Sequence, residues 1–172
     1  MNERTNPDIP FHPAGETAHT SSLTESRLAI NNVIGSARKV IRIFERDLTD
    51  AGFRDPDRIR LLESFILARR GNGVSIVLHD TRYLDRDCAR LMALFRRNTH
   101  AFTINRTVDT ACSAVDALVI ADEHSFWHRL HQDQPRVTFA IGDSIATAPL
   151  LHRFEEIWES SEPAVAGTLL GL

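Results

Sequence analysis

The sequence predicts an α/β fold, a mixed and mostly parallel sheet flanked by helices. Two observations carry the prediction. Three short runs rich in β-branched residues, at 39–44, 74–78 and 101–105, alternate with segments whose apolar residues recur at helical spacing. That alternation is the pattern of parallel strands joined by crossover helices. Three further apolar runs, at 116–120, 125–130 and 136–141, follow with no helical pattern between them and lead into a closing helix. Strands joined that way can pair antiparallel.

Taken in order, residues 1–21 hold three prolines and no apolar periodicity, which predicts a disordered leader. Ser22 or Thr24 can cap a first helix whose inner face is Ile30, Val33, Ile34 and Ala37. KVIRIF at 39–44 alternates and reads as a strand. A polar connection with Gly52 and Pro56 leads to a helix over 57–70, burying Ile59, Leu62, Phe65 and Ile66. Gly71-Asn72-Gly73 closes it with residues that tolerate positive φ. VSIVL at 74–78 is a strand covered on both faces. A helix over 84–97 turns Leu84, Cys88, Leu91, Met92 and Phe95 inward. The later strands at 116–120 and 125–130 face each other across the turn Asp122-Glu123-His124. The last helix is expected to start within 144–148, because Pro149 belongs in a first turn, and to bury Leu151, Phe154, Ile157 and Trp158. The folded domain should span 22–162, and 163–172 form an apolar tail that docks or frays.

Composition bounds the partners. Hydrophobic residues are 42% and charged residues 25%, which excludes a wholly disordered or fibrous chain. A net charge of −3 supplies no global cationic field to gather nucleic acid. Cys88 and Cys112 stand alone, too few for a disulfide framework. There is no apolar run of membrane-spanning length, and MNERTNPDIPFHPAGETAHT has no apolar core of the kind a secretory signal needs, so a cytoplasmic setting is expected. Lys39 is the only lysine among 20 basic residues, a bias that reflects GC-rich coding.

Three segments, in order and spacing, resemble one half of a phospholipase D-like domain, over about residues 23–161. The first is a helix leading into KVIRIFERDL. The second is LLESFILARRGNGVSIVL, a helix ending in a basic-glycine turn before a strand. The third is DALVIAD followed by RVTFAIGDSIATAPLLHRFEEIW. The resemblance implies a phospholipase D-like half-domain of bacterial type, and single halves of that family pair as homodimers. It also implies a chemistry carried by His-x-Lys-x4-Asp, taken twice. One histidine attacks phosphorus, the other protonates the leaving group, and the lysines bind phosphate oxygens.

Laid on this sequence, the motif's aspartate falls on Asp122, its histidine on Val115 and its lysine on Ala117. None of the eight histidines has a lysine or arginine two residues on, so the motif is not elsewhere. The resemblance therefore implies a degenerate relative without catalytic residues, in which Asp122 is the remnant that once supported the histidine. The expected function is a non-catalytic binding or assembly module. The alternative is a phosphodiester- or nucleic-acid-processing factor with a rebuilt site.

Other residues are candidates for a ligand pocket: His79, Asp80 and Arg82 after the 74–78 strand, with His124 and His128. His124, His128 and His131 have metal-ligand spacing only on a helix, and SFWHRL alternates as a strand, so no metal and no cofactor is expected. Arg38, Lys39 and Arg42 with Arg69-Arg70 and Arg96-Arg97 form basic groups, two of them at helix ends where cations complement the dipole. Aromatic residues do not interleave with them, so nucleic acid is not an expected partner. The expected partners are a second copy, an anionic ligand or another protein. Phe126 and Trp127 are the residues expected at a homodimer interface.

Overall fold

The computed structural model describes residues 14–165. In chain order the elements are β1 (Ala18–Thr20), α1 (Leu23–Ser36), β2 (Val40–Glu45), α2 (Pro56–Ala68), β3 (Gly73–Leu78), α3 (Leu84–Asp87), α4 (Ala89–Arg97) and β4 (Phe102–Thr107). A 3-10 turn over Asp109–Ser113 precedes β5 (Ala117–Ala121), β6 (Ser125–Arg129), β7 (Val137–Ala140), α5 (Ser144–Glu159) and β8 (Ser161–Pro163).

The strands form one sheet in the order β1-β7-β6-β5-β2-β3-β4-β8. The α/β class holds, as a mixed sheet. The first alternating strands are parallel, β2 with β3 and β3 with β4, while β5, β6 and β7 pair antiparallel as a meander. Antiparallel pairings nevertheless outnumber parallel ones, because β5 runs opposite to β2 and both edges are closed by short antiparallel strands.

Alternation along the strands feeds two cores. Ile41, Ile43, Val74, Ile76, Val119 and Trp127 pack under α1, α2 and α4. Phe44, Val77, Leu118, Ile120 and Phe126 meet Phe154 and Ile157 of α5 on the other face. Covered from both sides, β5 is buried along its whole length, which explains its unbroken apolar run. Cys88 is buried as expected, and burial pushes its thiol up to about 11.

Several details differ from the sequence expectations. Ala18–Thr20, inside the expected leader, pairs with Phe139, Thr138 and Val137 of β7, because that edge offers unpaired backbone groups. Residues 1–13 and 166–172, which hold the rest of the expected leader and tail, lie outside the described residues. The start of the tail is drawn in as well. Pro163 lies opposite Asn105, and the Ala164 amide donates to the Ile104 carbonyl at 3.0 Å. A proline is tolerated there because β8 is an edge. The helix expected over 84–97 is two, divided at Cys88 (φ −125°, ψ 40°). Pro149 stands sixth in α5 rather than in its first turn, since Asp143 caps the helix by accepting from the Ala146 amide at 2.9 Å. The Ile145 carbonyl therefore lacks its helical donor, in a turn where Ile145 is 88% exposed.

Phe126 and Trp127 are not on the surface. Trp127 is fully buried beneath α1, with its indole N–H donating to Ser26 Oγ at 3.0 Å, and Phe126 is 3% exposed. Their place is inside their own monomer, one on each face of the sheet.

Candidate functional site

Because β5 is antiparallel to β2, the motif segment runs from the carboxyl end of the parallel strands to their amino end. Leu118 pairs with Phe44 and Ala121 with Ile41. At about 3.4 Å per residue, Ala117 and Asp122 are separated by about 17 Å. The two positions belong to opposite ends of the sheet.

At the carboxyl end, Val115 is half-exposed and Ala117 is fully buried, so neither position presents a nucleophile or a cation. The polar groups around them engage one another. Asp116 is buried and accepts from Arg153 NH2 at 3.1 Å and Arg153 Nε at 3.4 Å, while His128 Nε2 lies 3.8 Å from its Oδ2. Burial alone would raise the Asp116 carboxyl, but His128 and Arg153 outweigh it and hold the group at about 2. Gln132 Nε2 donates to the Asp116 carbonyl, and the Gln132 amide to the Val115 carbonyl at 2.7 Å. His79 bridges Thr107 Oγ1 at 2.8 Å and the Ala114 carbonyl at 2.7 Å, with Phe44 edge-on to its ring. Both nitrogens are engaged, and the ring fastens the segment leading into β5.

Asp80 and Arg82 form a pair within one loop, Arg82 NH2 to Asp80 Oδ2 at 2.7 Å, which holds the Asp80 carboxyl at about 2. The expected pocket residues therefore divide. His79, Asp80, Arg82 and His128 are at the carboxyl end, whereas His124 is at the amino end beside Asp122, with Nε2 3.5 Å from Oδ2.

Asp122 is not aimed at the place of the missing histidine. Its carboxylate accepts from the backbone amides of Arg38 (2.7 Å), Lys39 (2.8 Å) and Val40 (2.9 Å). Burial works against its ionisation, yet these three donors prevail and hold the carboxyl below its ordinary range. It clamps the β5–β6 turn, with its own φ at 53°, to the start of β2.

Sequence reasoning missed a buried polar group behind the carboxyl end. Glu45, Arg58 and Arg129 are 2%, 1% and 6% exposed. Arg58 Nε donates to Asn31 Oδ1 at 2.8 Å and its NH2 to the Arg27 carbonyl. Arg129 stacks 5.1 Å from the Trp127 ring centroid. Glu45 Oε1 and Arg129 Nε have no hydrogen-bond partner. Desolvation pushes the Glu45 carboxyl up to about 7 despite the charge of Arg129. The available signal was periodicity: Glu45 and Arg129 each follow a core residue, Ile43 and Trp127, by two along a strand.

A mixed sheet with a parallel half, an antiparallel meander and a closing helix is the fold of phospholipase D family members. The chain is similar to Nuc from Salmonella typhimurium, a phospholipase D family member, with a TM-score of 0.63 and 15% identity over 88% of this chain and 100% of that one. It is similar to NucT from Helicobacter pylori, with a TM-score of 0.54 and 13% identity over 86% and 99% of the two chains. TrmBL2, an archaeal chromatin protein with a novel mode of DNA binding, matches with a TM-score of 0.64 and 16% identity, over 93% of this chain and 57% of that one. At these identities the likeness shows the fold alone. No curated protein matches the sequence. The chain belongs to the family described as Domain of unknown function (DUF7931), whose model matches residues 22–166. No helix among the described residues is long and apolar enough to cross a membrane.

Proposed function

We propose that this chain is a degenerate phospholipase D-like domain that works as a binding or assembly module without phosphodiester hydrolysis. One observation carries the reading: Val115, just before β5, and Ala117, its first residue, occupy the positions where the resemblance requires a nucleophile and a phosphate-binding cation. An isopropyl and a methyl group can do neither. Self-association fits the same end of the sheet. Leu130 is 73% and Val115 50% exposed, and the 2.7 Å bond from the Gln132 amide to the Val115 carbonyl joins their segments. A homodimer through this face would remove both from water, in place of the Phe126 and Trp127 contact expected from the sequence.

A second reading has its own support. His128, beside the buried Asp116 carboxylate and Arg153, has the parts of a rebuilt site: an oriented imidazole and a cation for a developing charge. Assay of the full chain on aryl phosphodiesters and single-stranded DNA, with and without divalent metal, separates the two. The expected result is no turnover above that of His128→Ala. Turnover abolished by that substitution would establish the rebuilt site. Light scattering of the wild type against Leu130→Glu tests the assembly, with a dimer expected only for the wild type. A monomeric wild type at tens of micromolar, against an ordinary affinity of about 1 μM, would refute it.

A further inference from the structure

The opposite end of the sheet holds a feature that neither reading uses. A cleft of about 340 Å³ opens between the start of β2 and the β5–β6 turn, lined by Arg38, Lys39, Arg42, Asp122, Glu123 and His124. A second cleft of about 390 Å³ shares Arg38 with it and reaches Arg69 and Asn72 beyond the end of α2. We propose that these joined clefts bind linked phosphate groups.

Charge pairing is the first argument. Ten arginines elsewhere on the described chain have an acidic side chain within 4 Å, as Arg46 has Asp133 and Arg106 has Glu162. Arg38, Lys39, Arg69 and Arg70 have no hydrogen-bonded or ionic side-chain partner among the described residues, and all four are exposed. Arg27, Arg90 and Arg136 are exposed without an acidic partner as well, but Arg38, Lys39 and Arg69 line the two clefts together, in a chain of net charge −3. Part of that charge complements the carbonyl ends of α1 and α2, which each end just before it. That role needs one cation per helix end, and two follow each.

The acids do not cancel the cluster. The Asp122 carboxylate is committed to three backbone amides and is hydrogen-bonded to no arginine or lysine side chain. Glu123 is the remaining acid in the lining and is exposed. Arg42 is oriented in advance, because its NH1 donates to the Asp122 carbonyl at 3.1 Å, and its other nitrogens have no partner among the described residues. A held guanidinium with an open edge suits a phosphate oxyanion, which accepts two parallel N–H bonds. Two clefts that share Arg38 fit two or more linked phosphates better than one.

Recognition would stop at phosphate. The first cleft has no Phe, Tyr or Trp in its lining, and Phe65, in the second, is 7% exposed, so no broad platform for base stacking is offered. The ligand is a free polyphosphate or the backbone of a nucleic acid, read without regard to sequence.

The test titrates the full chain at low salt with tripolyphosphate, by calorimetry, and with a short labelled DNA duplex, by anisotropy. At least one probe should bind, and Arg38→Glu should weaken it about tenfold or more, as expected for a charge-assisted contact. Arg69→Glu should weaken it too, Glu123→Gln should strengthen it, and Arg90→Glu, an exposed arginine elsewhere, should leave it unchanged. Binding of tripolyphosphate alone identifies a free polyphosphate as the ligand, and binding of the duplex alone identifies a nucleic-acid backbone. Failure of both probes to bind, or an equal loss from Arg90→Glu, overturns the proposal. The site adds a ligand class to the binding reading and rests on it only in expecting the probe to be recovered intact. Cleavage of the probe would sink that reading and leave this site standing.

Discussion

Replacing Glu45 by glutamine should stabilise the protein, and more so as pH rises. The carboxyl is enclosed, Oε1 has no donor, and its affinity for a proton rises from an ordinary 4.5 to about 7 on folding. A carboxyl raised in this way has the opposite sign from a salt-bridged one. Between 4.5 and 7 the unfolded chain has released the proton and the folded chain still holds it, so stability falls as pH increases through that window. At about 1.4 kcal/mol for each tenfold change in proton affinity, the accumulated penalty above pH 7 is about 3 kcal/mol. Glutamine keeps the shape and removes the ionisation. The assay is urea denaturation of wild type and Glu45→Gln at several pH values from 4.5 to 8. The difference between them should grow by up to about 3 kcal/mol across the series, whatever its value at the acid end, where the folded carboxyl is neutral like the amide that replaces it. A difference that stays constant with pH would show that Glu45 does not titrate in this window, and the reasoning would fail.

Other outcomes follow from the same contacts. Trp127→Ala should cost about 3–5 kcal/mol in urea or thermal unfolding and leave the association state unchanged, because the indole packs under α1 within its own chain. Asp122→Ala should destabilise by about 1–3 kcal/mol at neutral pH by releasing three backbone donors. That cost should shrink below the ordinary carboxyl value of 3.8, since a depressed carboxyl contributes its stability above that value and loses it as pH falls further.

The order of elements was legible because alternation and helical spacing report burial directly. The runs at 39–44 and 74–78 became β2 and β3 almost residue for residue. Signals that depend on distant pairing were not legible. Ala18–Thr20 has no strand pattern of its own and is ordered only by the edge of β7. Phe126 and Trp127 looked like an interface because adjacent aromatics on a strand must face opposite ways, and a sequence does not show that both faces are covered. The partners of Asp122 were not legible for a related reason. Its place in the motif says which residues precede it, and only the β2–β5 register shows that its partners are the amides of residues 38–40.

The ladder between β2 and β5 also divides the molecule by time of synthesis. The parallel strands β2, β3 and β4 come from one continuous stretch and can assemble as soon as it is made. The meander of β5, β6 and β7 is covered by α1, which precedes all three, and edged by β1. Its core is therefore completed by residues from the beginning of the described chain, with Trp127 meeting Ser26 across a separation of 101 positions. On a ribosome α1 can meet α2 early, but the part of its surface that packs on β5, β6 and β7 has to wait until the meander emerges. Contacts of such long separation close slowly, which makes α1 the element most open to misassociation in the nascent chain.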